Sequence, residues 1–428
     1  IFCLNLTLHM KKEFKSPTFM KMLFVFCGIL ILTGCPHDEK ADNFSPTVIL
    51  ISMDGFRWDY FNKTNTPNFD ELIDGGSKAE ALIPSFPSKT FPNHITIVTG
   101  RYPENHGIVA NKMYDPDFDE YYYIGQGSAP VLDGKWYNAE PIWVTAEKQN
   151  QTAMTMFWPI SEAEIMGVRP SEYFVYDGSV SRNDRVDQIL KWLDYPSSKR
   201  PRFLTTYFSH LDDVGHRHGP DSDEVKSAIR EMDRTVGRLM DGLKSREIFQ
   251  KVNIILVSDH GMATTSSDSI IFLDDYIDMD KVIMVDWTPV AAIRPKGSID
   301  SIHSKLHNAH PNLTVYKKGE APARLHYSSN RRIQPITAIA DEHWSITTHD
   351  YTSQDDHADK YSGATHGYDP VYPSMGGIFV GHGPAFNKGL LGPGITNIHL
   401  YEMMCKILSL TPAENDGSID STRIFLIN

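Results

Sequence analysis

The chain has 428 residues, of which 41% are hydrophobic and 22% are charged. This is a globular composition, and it excludes a disordered, collagen-like or coiled-coil protein. The formal net charge of −13 argues against tight nucleic-acid binding, because such binding depends on Lys and Arg displacing counterions from the phosphate backbone.

The first 34 residues have the pattern of an export signal. Lysines at 11, 12, 15 and 21 precede an apolar run over 22–32, which is shorter than the roughly 20 apolar residues that span a bilayer. The following Leu32-Thr33-Gly34-Cys35 resembles the bacterial lipobox, in which the cysteine is lipidated after cleavage. We therefore predict a lipoprotein signal peptide over 1–34, lipidation of Cys35, and an exported protein anchored to a bacterial membrane, in the periplasm or outer membrane or at the cell surface. An uncleaved anchor is the alternative.

From residue 47 onward the pattern is α/β, after a polar tether over 35–46. The runs 47–52, 203–208 and 252–257 are apolar or β-branched and stop abruptly at polar residues, which is typical of central strands in a largely parallel sheet. Amphipathic stretches over 184–193 and 222–244 predict flanking helices. We predict one main domain over 47–428, with a small inserted α+β subdomain at about 289–345.

Metal-type ligands occur just beyond these predicted strands, where open α/β sheets bind their ligands. They are Asp54, Asp212 with His216 four residues on, Asp259 with His260, and His366. Carboxylate and imidazole without thiolate are typical of a hydrolytic zinc site. A strand-end Asp is also a common helix cap, and Asp-His-Gly is also a common turn. Asp213 and His218 compete with Asp212 and His216, although the four-residue spacing favours the latter pair.

Thr90 lies at or near the start of a predicted helix, because Pro92 fits within a first helical turn. Its ordinary role would be an N-cap. Its functional role would be a nucleophile whose alkoxide is stabilised by the helix end and a metal. The local sequence leaves both open, and the surrounding metal-type ligands favour the second.

The chain resembles the nucleotide pyrophosphatase/phosphodiesterase family of the alkaline phosphatase superfamily. Seven motifs carry this resemblance in the expected order: Asp54, 89–94 (KTFPNH), Asn111, 157–163 (FWPISEA), Asp212 with His216, 259–261 (DHG) and 366–368 (HGY). The resemblance implies an alkaline phosphatase-like fold with a largely parallel central sheet flanked by helices.

The resemblance also implies roles for individual residues. One Zn²⁺ would be held by Asp212, His216 and His366, and a second by Asp54, Asp259, His260 and the Thr90 oxygen. Asn111 would donate to a phosphate oxygen, while Phe91 and Tyr207 would sandwich a nucleobase. Two Zn²⁺, three aspartates and an ionised Thr90 sum to zero charge, so the metals favour the alkoxide.

The expected activity is hydrolysis of nucleoside 5′-phosphodiesters and nucleoside triphosphates to nucleoside 5′-monophosphates through a phospho-threonine intermediate. The expected partners are therefore a small nucleotide or phosphodiester and, through the lipid, a membrane. One alternative is the same site acting on choline phospholipid head groups or another phosphate ester. A different class of alternative is a non-catalytic surface binding protein, which would be expected to lack a zinc ligand or Thr90; this chain has them all.

Overall fold

The computed structural model describes residues 44–354 and 361–427. Its strands are β1 (Val48–Met53), β2 (Ser77–Ala79), β3 (Leu82–Ile83), β4 (Lys112–Asp115), β5 (Glu120–Tyr123), β6 (Ala153–Met156), β7 (Glu172–Phe174), β8 (Phe203–Phe208), β9 (Asn253–Val257), β10 (Ala263–Thr265), β11 (Ile270–Phe272), β12 (Val282–Asp286), β13 (Val290–Pro295), β14 (Leu313–Lys317), β15 (Ile336–Ala340), β16 (Ser345–Thr347), β17 (Gly363–Thr365), β18 (Phe379–His382), β19 (Leu390–Gly392) and β20 (Ile395–Thr396).

The α-helices in the same ranges are α1 (Pro67–Asp74), α2 (Thr90–Thr99), α3 (Pro103–His106), α4 (Ala129–Leu132), α5 (Ile142–Lys148), α6 (Arg182–Leu193), α7 (His210–His218), α8 (Asp223–Ser245), α9 (Ile299–Leu306), α10 (His349–Thr352) and α11 (Leu400–Leu408). Helices α6 and α8 begin at serine N-caps, Ser181 and Ser222, whose hydroxyls accept a backbone N–H of the first turn. These caps fix the two helix starts, which lie two residues before the predicted 184 for α6 and one residue after the predicted 222 for α8.

The central sheet has eight strands in the order β19-β2-β18-β9-β1-β8-β6-β7. Strands β9, β1, β8, β6 and β7 are mutually parallel, whereas β18 runs antiparallel to both β9 and β2. The prediction of a largely parallel sheet flanked by helices is therefore confirmed, with one reversed strand that the sequence pattern did not indicate.

The middle strand β1 is buried on both faces, which explains its uninterrupted apolar sequence. Val48 and Leu50 belong to the main core with residues of α2, α5 and α11, while Ile51 faces α6 and α8 on the opposite side. The sheet is thus the middle layer of three, and its loops at the carboxyl edge of β1 are held from both sides.

A second sheet is formed by β12, β13, β15 and β14, all antiparallel in that order. Its own core includes Ile293, Leu306 and Ile336. The sheet begins at Val282, earlier than the predicted insert at about 289, because β12 pairs with β13 across a short turn. The predicted β-α-β order corresponds to β13, α9 and β14.

The described residues from Ser45 onward form one compact unit. The predicted signal peptide, the Cys35 lipidation site and nearly all of the tether lie outside the described residues. Within the described ranges, the structure contains no helix that is both long enough and apolar enough to cross a membrane.

Candidate active site

Three elements bring their acidic residues to the carboxyl edge of the central sheet. Asp54 follows β1, Asp259 lies two residues beyond β9, and Asp212 lies in the first turn of α7, which begins two residues after β8. Gly55 has a φ of +68°, and a Cβ there would lie only 3.0 Å from the Asp212 Cα. Glycine at this position therefore permits the close approach of α7 to the end of β1.

Each of these carboxylates has a buried oxygen that no described group satisfies. Asp54 Oδ1, Asp212 Oδ1 and Asp259 Oδ2 accept no hydrogen bond of normal geometry from residues 44–354 or 361–427, and the nearest group to Asp259 Oδ2 is the metal-type ligand His260, whose Nε2 lies 2.9 Å away. Buried charged oxygens are costly unless they are paired or coordinate a metal. The cluster therefore has the electrostatic character of a cation site.

Three histidines surround these carboxylates, and each is oriented by a backbone carbonyl. The Nδ1 atoms of His216, His260 and His366 lie 2.9, 2.9 and 2.8 Å from the carbonyl oxygens of Ala364, Gly261 and Ser88. A carbonyl can only accept, so each Nδ1 donates and each Nε2 is left as a lone-pair ligand. This arrangement is typical of metal-binding histidines.

The ligand atoms fall into two groups whose members all lie within 4.8 Å of one another. One group is Asp54, Asp259 and His260, and the other is Asp212, His260 and His366. His216 adjoins the second group, with Nε2 3.4 Å from Asp212 Oδ2. The structure therefore brings together all six predicted Asp and His ligands, and their donor set fits two divalent cations.

Asp213 and His218, the alternatives to Asp212 and His216 as metal ligands, lie at exposed positions. Asp213 is exposed and accepts the Ser209 hydroxyl at 3.1 Å, and His218 is exposed at the end of α7. The helical spacing places Asp212 and His216 on the side that faces the other ligands.

The pKa values of these groups are shifted in both directions, because burial and the neighbouring charges act together. Burial, and then the charges of Asp259 and Asp212, raise the pKa of Asp54 well above its usual range. Burial lowers the pKa of His366 to about 3, helped by the neighbouring His260. For His216 burial acts downward, but Asp212 outweighs it and raises the pKa to about 9.

Thr90 is the first residue of α2, and the N-cap position belongs to Lys89. The Thr90 hydroxyl lies 3.4 Å from His260 Nε2, so it faces the metal-type ligands instead of capping the helix. The Asn93 amide donates to the carbonyls of Pro87 and Lys89 at 2.9 Å, which fixes the turn that enters the helix. The positive end of the α2 dipole therefore acts on the Thr90 oxygen.

Asn111 and Phe91 are linked at the helix start. Asn111 Oδ1 accepts the Phe91 backbone N–H at 3.0 Å, which leaves its Nδ2 as a donor. The half-buried Phe91 ring lines a cavity of about 210 Å³ together with Thr90, Asp54 and Asp212. The predicted phosphate and base residues thus lie beside the predicted metal ligands.

Tyr207 also lines this cavity, but it is only 8% exposed. Its hydroxyl donates to Asp54 Oδ2 at 2.5 Å, and its ring packs edge-on against His94 at 5.2 Å. Burial and the Asp54 charge raise the pKa of the phenol, so it remains a donor. This position orients a metal-type ligand, a role that the sequence analysis did not assign to Tyr207.

Sequence reasoning missed two other cavity residues, Tyr176 and Glu162. Tyr176 follows β7 and is half-buried, with its ring edge-on to Phe157 at 5.5 Å. Its only sequence signal is that three of the four residues over 173–176 are aromatic. Glu162 is part of a quoted motif but received no role.

Comparison with known proteins is consistent with this geometry. Residues 48–369 match the family model described as type I phosphodiesterase/nucleotide pyrophosphatase. The bis(5'-adenosyl)-triphosphatase enpp4 of Xenopus laevis is 38% identical over 408 residues, covering 95% of this chain and 87% of that protein. The human ectonucleotide pyrophosphatase/phosphodiesterase family member 5 is 40% identical over 374 residues, covering 87% and 76%.

A solved structure of murine ectonucleotide pyrophosphatase/phosphodiesterase 5, in an inactive threonine-to-alanine form with AMP, matches with a TM-score of 0.85. It is 38% identical and covers 90% of this chain and all of that chain. The expected alkaline phosphatase-like α/β fold is confirmed by this match. The relatives named here are animal proteins, and bacterial lipoprotein status stays a prediction.

Proposed function

The chain belongs to the type I phosphodiesterase/nucleotide pyrophosphatase family and is a hydrolase of that class, and we propose that it converts nucleoside 5′-phosphodiesters and triphosphates to nucleoside 5′-monophosphates. The observation that carries this proposal is the shared cavity, which joins Thr90 and two metal-type carboxylates to the rings of Phe91 and Tyr176. A reactive group beside an aromatic wall fits a phosphate attached to a base.

The proposed cofactor is a pair of Zn²⁺ ions. Asp212, His216 and His366 would hold one ion, while Asp54, Asp259, His260 and the Thr90 oxygen would hold the other. The unsatisfied carboxylate oxygens and the carbonyl-oriented imidazoles support this assignment. When bound, such a pair supplies Lewis acidity that stabilises charge on the attacking and leaving oxygens.

The residues of this chain supply the nucleophile and position the phosphate. The Thr90 hydroxyl loses its proton and attacks phosphorus in line with the leaving ester oxygen, which departs as the threonine–phosphorus bond forms. Phosphorus in the resulting phospho-threonine still carries the nucleoside, and water then hydrolyses the bond to threonine, which releases the nucleoside 5′-monophosphate and restores the Thr90 hydroxyl. The N-terminus of α2 stabilises the developing alkoxide, and Asn111 Nδ2 donates to a non-bridging phosphate oxygen.

The base site is proposed to consist of Phe91 and Tyr176. Both rings are half-buried and line the cavity, so each retains a surface for stacking. Tyr207, which the sequence analysis paired with Phe91, is buried and hydrogen-bonded to Asp54. Its proposed role is to hold that carboxylate.

A three-substrate assay tests the proposed function. The substrates are p-nitrophenyl esters of thymidine 5′-monophosphate, of phosphate and of phosphocholine, which share a leaving group. We expect the nucleoside diester to have the highest kcat/KM, and Thr90→Ala to abolish the reaction. A dominant rate on phosphocholine would instead favour the phospholipid alternative.

Export and lipid anchoring are proposed separately, from the basic residues, the apolar run and the lipobox-like sequence ending at Cys35. Cys35→Ala should leave the protein unprocessed or release it from the membrane fraction. Normal processing together with detergent-dependent membrane association of that variant would contradict the lipid anchor.

A further inference from the structure

Helix α9, which packs on the second sheet, carries two histidines and an aspartate along one stripe of its surface. Asp300, His303 and His307 follow one another at spacings of three and four residues, which places their side chains on the same side of a helix. Ile302 and Leu306 of the same helix are buried in the core of the second sheet. The apolar side therefore fixes the helix, while Asp300 and His307 are exposed and His303 is half-buried.

The two imidazole rings of this stripe lie next to each other. Their centroids are 5.3 Å apart, and their planes differ by 26°. The His307 backbone N–H donates to the His303 carbonyl at 2.8 Å, so the last helical turn closes on His307 although α9 ends at Leu306. Neither imidazole forms a hydrogen bond or an ion pair within residues 44–354 and 361–427. Each neutral ring therefore has a nitrogen lone pair that is available to a ligand.

The separation of the rings fits a shared metal ion. A Zn–N bond is about 2.0–2.1 Å long and the ring centre lies about 1 Å beyond the nitrogen, so two imidazoles on one tetrahedral ion have centroids about 5 Å apart. The candidate active site offers a comparison within the same chain, because the centroids of His216 and His366, two ligands of one proposed Zn²⁺, are 5.1 Å apart. His303 and His307 thus have the spacing of a chelating pair.

Asp300 adds a carboxylate one turn before His303. Lys317 lowers the pKa of Asp300, and His303 acts in the same direction, so this side chain is an ionised carboxylate at neutral pH. Lys317 Nζ lies 2.7 Å from Asp300 Oδ1, but the Asp300 side chain is 82% exposed. An exposed ion pair contributes about 1 kcal/mol or less, so a metal ion can displace Lys317.

We propose that Asp300, His303 and His307 form a surface site for a divalent transition-metal ion, with water in the remaining coordination positions. Imidazole suits Cu²⁺, Ni²⁺ and Zn²⁺, and for a given set of nitrogen and oxygen ligands Cu²⁺ binds most tightly. The site shares no residue with the candidate active site, so metal binding there does not depend on the proposed nucleotide activity.

His310 provides a matched control from the same segment of the chain. Its Nδ1 accepts the Asn312 backbone N–H at 3.1 Å, and its ring lies against Trp344 with the centroids 4.8 Å apart. This nitrogen is already occupied, and a spacing of three residues after His307 lies beyond the end of α9. His310 is therefore outside the proposed ligand set.

The test is equilibrium dialysis of the untagged, zinc-loaded full chain against Cu²⁺ at pH 7, with copper and zinc measured by elemental analysis. We expect one additional Cu²⁺ per chain and an unchanged zinc content. Because two ligands on one helix act as a chelate, His303→Ala and His307→Ala should each weaken Cu²⁺ binding by about 100-fold. Asp300→Asn should weaken it by a smaller factor, and His310→Ala should leave it unchanged.

Circular dichroism and hydrolysis of bis(p-nitrophenyl) phosphate report whether each variant is folded, and neither should change. Three results would overturn the site: no additional Cu²⁺ on the wild-type chain, wild-type affinity in the His303→Ala/His307→Ala double variant, or an equal loss of binding in His310→Ala. Copper that enters only as zinc leaves would assign the binding to the active-site ligands and would likewise overturn it. Failure to hydrolyse nucleotides, with the additional Cu²⁺ still bound, would contradict the proposed function alone.

Discussion

Two clusters of charged residues each contain a buried carboxylate, and the charges around the two carboxylates are opposite in sign. In the candidate active site, Asp54 lies beside two further aspartates, and its pKa is raised. In the second cluster, Asp115 at the end of β4 lies between two arginines, and its pKa is lowered to about 2 although burial acts in the other direction. The same type of side chain shifts in opposite directions because its neighbours differ in charge.

Both oxygens of the Asp115 carboxylate in the second cluster accept hydrogen bonds from the protein, although the buried Arg332 Nη2 has no hydrogen-bond partner among the described residues. Arg331 forms two hydrogen bonds to Asp115 through Nε and Nη2 at 3.0 and 2.8 Å, and the buried Arg332 donates through Nε at 2.6 Å. Arg332 also donates to the carbonyls of Gly107 and Trp136. The Asp115 cluster joins the β4 region to the loop before β15. The active-site cluster instead leaves carboxylate oxygens for a ligand, and this difference separates a structural charge cluster from a functional one.

Metal removal should have the largest effect on activity of the changes proposed below, and it should act on the active-site cluster and not on the Asp115 cluster. A strong chelator is expected to abolish activity and Zn²⁺ to restore it, because three aspartate oxygens have no hydrogen-bond partner in the described part of the chain and are available to a metal. Metal at 100 times its dissociation constant also stabilises the fold by about 2.7 kcal/mol, measurable as a fall in Tm on chelation. Full turnover by protein that elemental analysis shows to be metal-free would contradict the assignment.

Thr90→Ala should lower kcat by about three orders of magnitude or more, as the loss of a nucleophile does in other hydrolases. Thr90→Ser should keep substantial activity, since it retains the hydroxyl. Thr99→Ala, at the other end of α2, is the matched control, because its hydroxyl donates to the Ile95 carbonyl and accepts the Arg101 backbone N–H. Wild-type turnover in Thr90→Ala would show that the hydroxyl does not react.

Asp115→Asn should have the converse effect, lowering stability while leaving the chemistry largely intact. Removing one partner of a buried ion pair costs about 3–5 kcal/mol, because the charge of Arg332 stays buried without compensation. Urea denaturation measures this loss, and kcat of the folded fraction is the second readout. Asp117→Asn is the control: Asp117 is exposed and lies 3.1 Å from Arg331, so about 1 kcal/mol or less is expected.

Removing the ring of Phe91 or Tyr176 should lower activity on nucleotide substrates more than on substrates without a base. Base stacking contributes about 1–3 kcal/mol, so Phe91→Ala and Tyr176→Ala should weaken kcat/KM on a nucleoside 5′-phosphodiester by about 5- to 150-fold. Activity on a small alkyl phosphodiester should change little. Tyr207→Phe, which loses only the hydrogen bond to Asp54, should reduce both activities equally. A base-selective loss in Tyr207→Phe would restore Tyr207 as the stacking partner of Phe91.

The smallest expected effect is the pH dependence of the contribution that Asp115 makes to the free energy of unfolding. Because the pKa of Asp115 is lowered on folding, its stabilisation is fully present above the unfolded value of about 4 and is lost as the pH falls toward 2. The gap in urea midpoint between wild type and Asp115→Asn should therefore narrow between pH 5 and pH 2.5. A constant gap would mean that the ion pairing of Asp115 is not what stabilises the fold.

The sequence predicted much of what depends on local pattern. Strand β8 has the bounds that its apolar run indicated, β1 is shifted by one residue at both ends, and β9 begins one residue later. The placement of Thr90 at the start of α2 followed from Pro92 alone. Ligands beyond parallel strands must converge because their carboxyl ends share one edge of the sheet, so the ligand set could be proposed before any distance was known.

Only the tertiary structure decided which side chains face the same space. Tyr207 ends buried against Asp54, whereas Tyr176 and Glu162, from the loops after β7 and β6, reach the cavity. The antiparallel pairing of β18 and the Asp115–Arg332 contact likewise join residues distant in the chain. The periodicity of a sequence indicates on which face of its helix or strand a residue lies. The residues that contact that face are set by how the other elements pack, and a local sequence pattern contains no information about that packing.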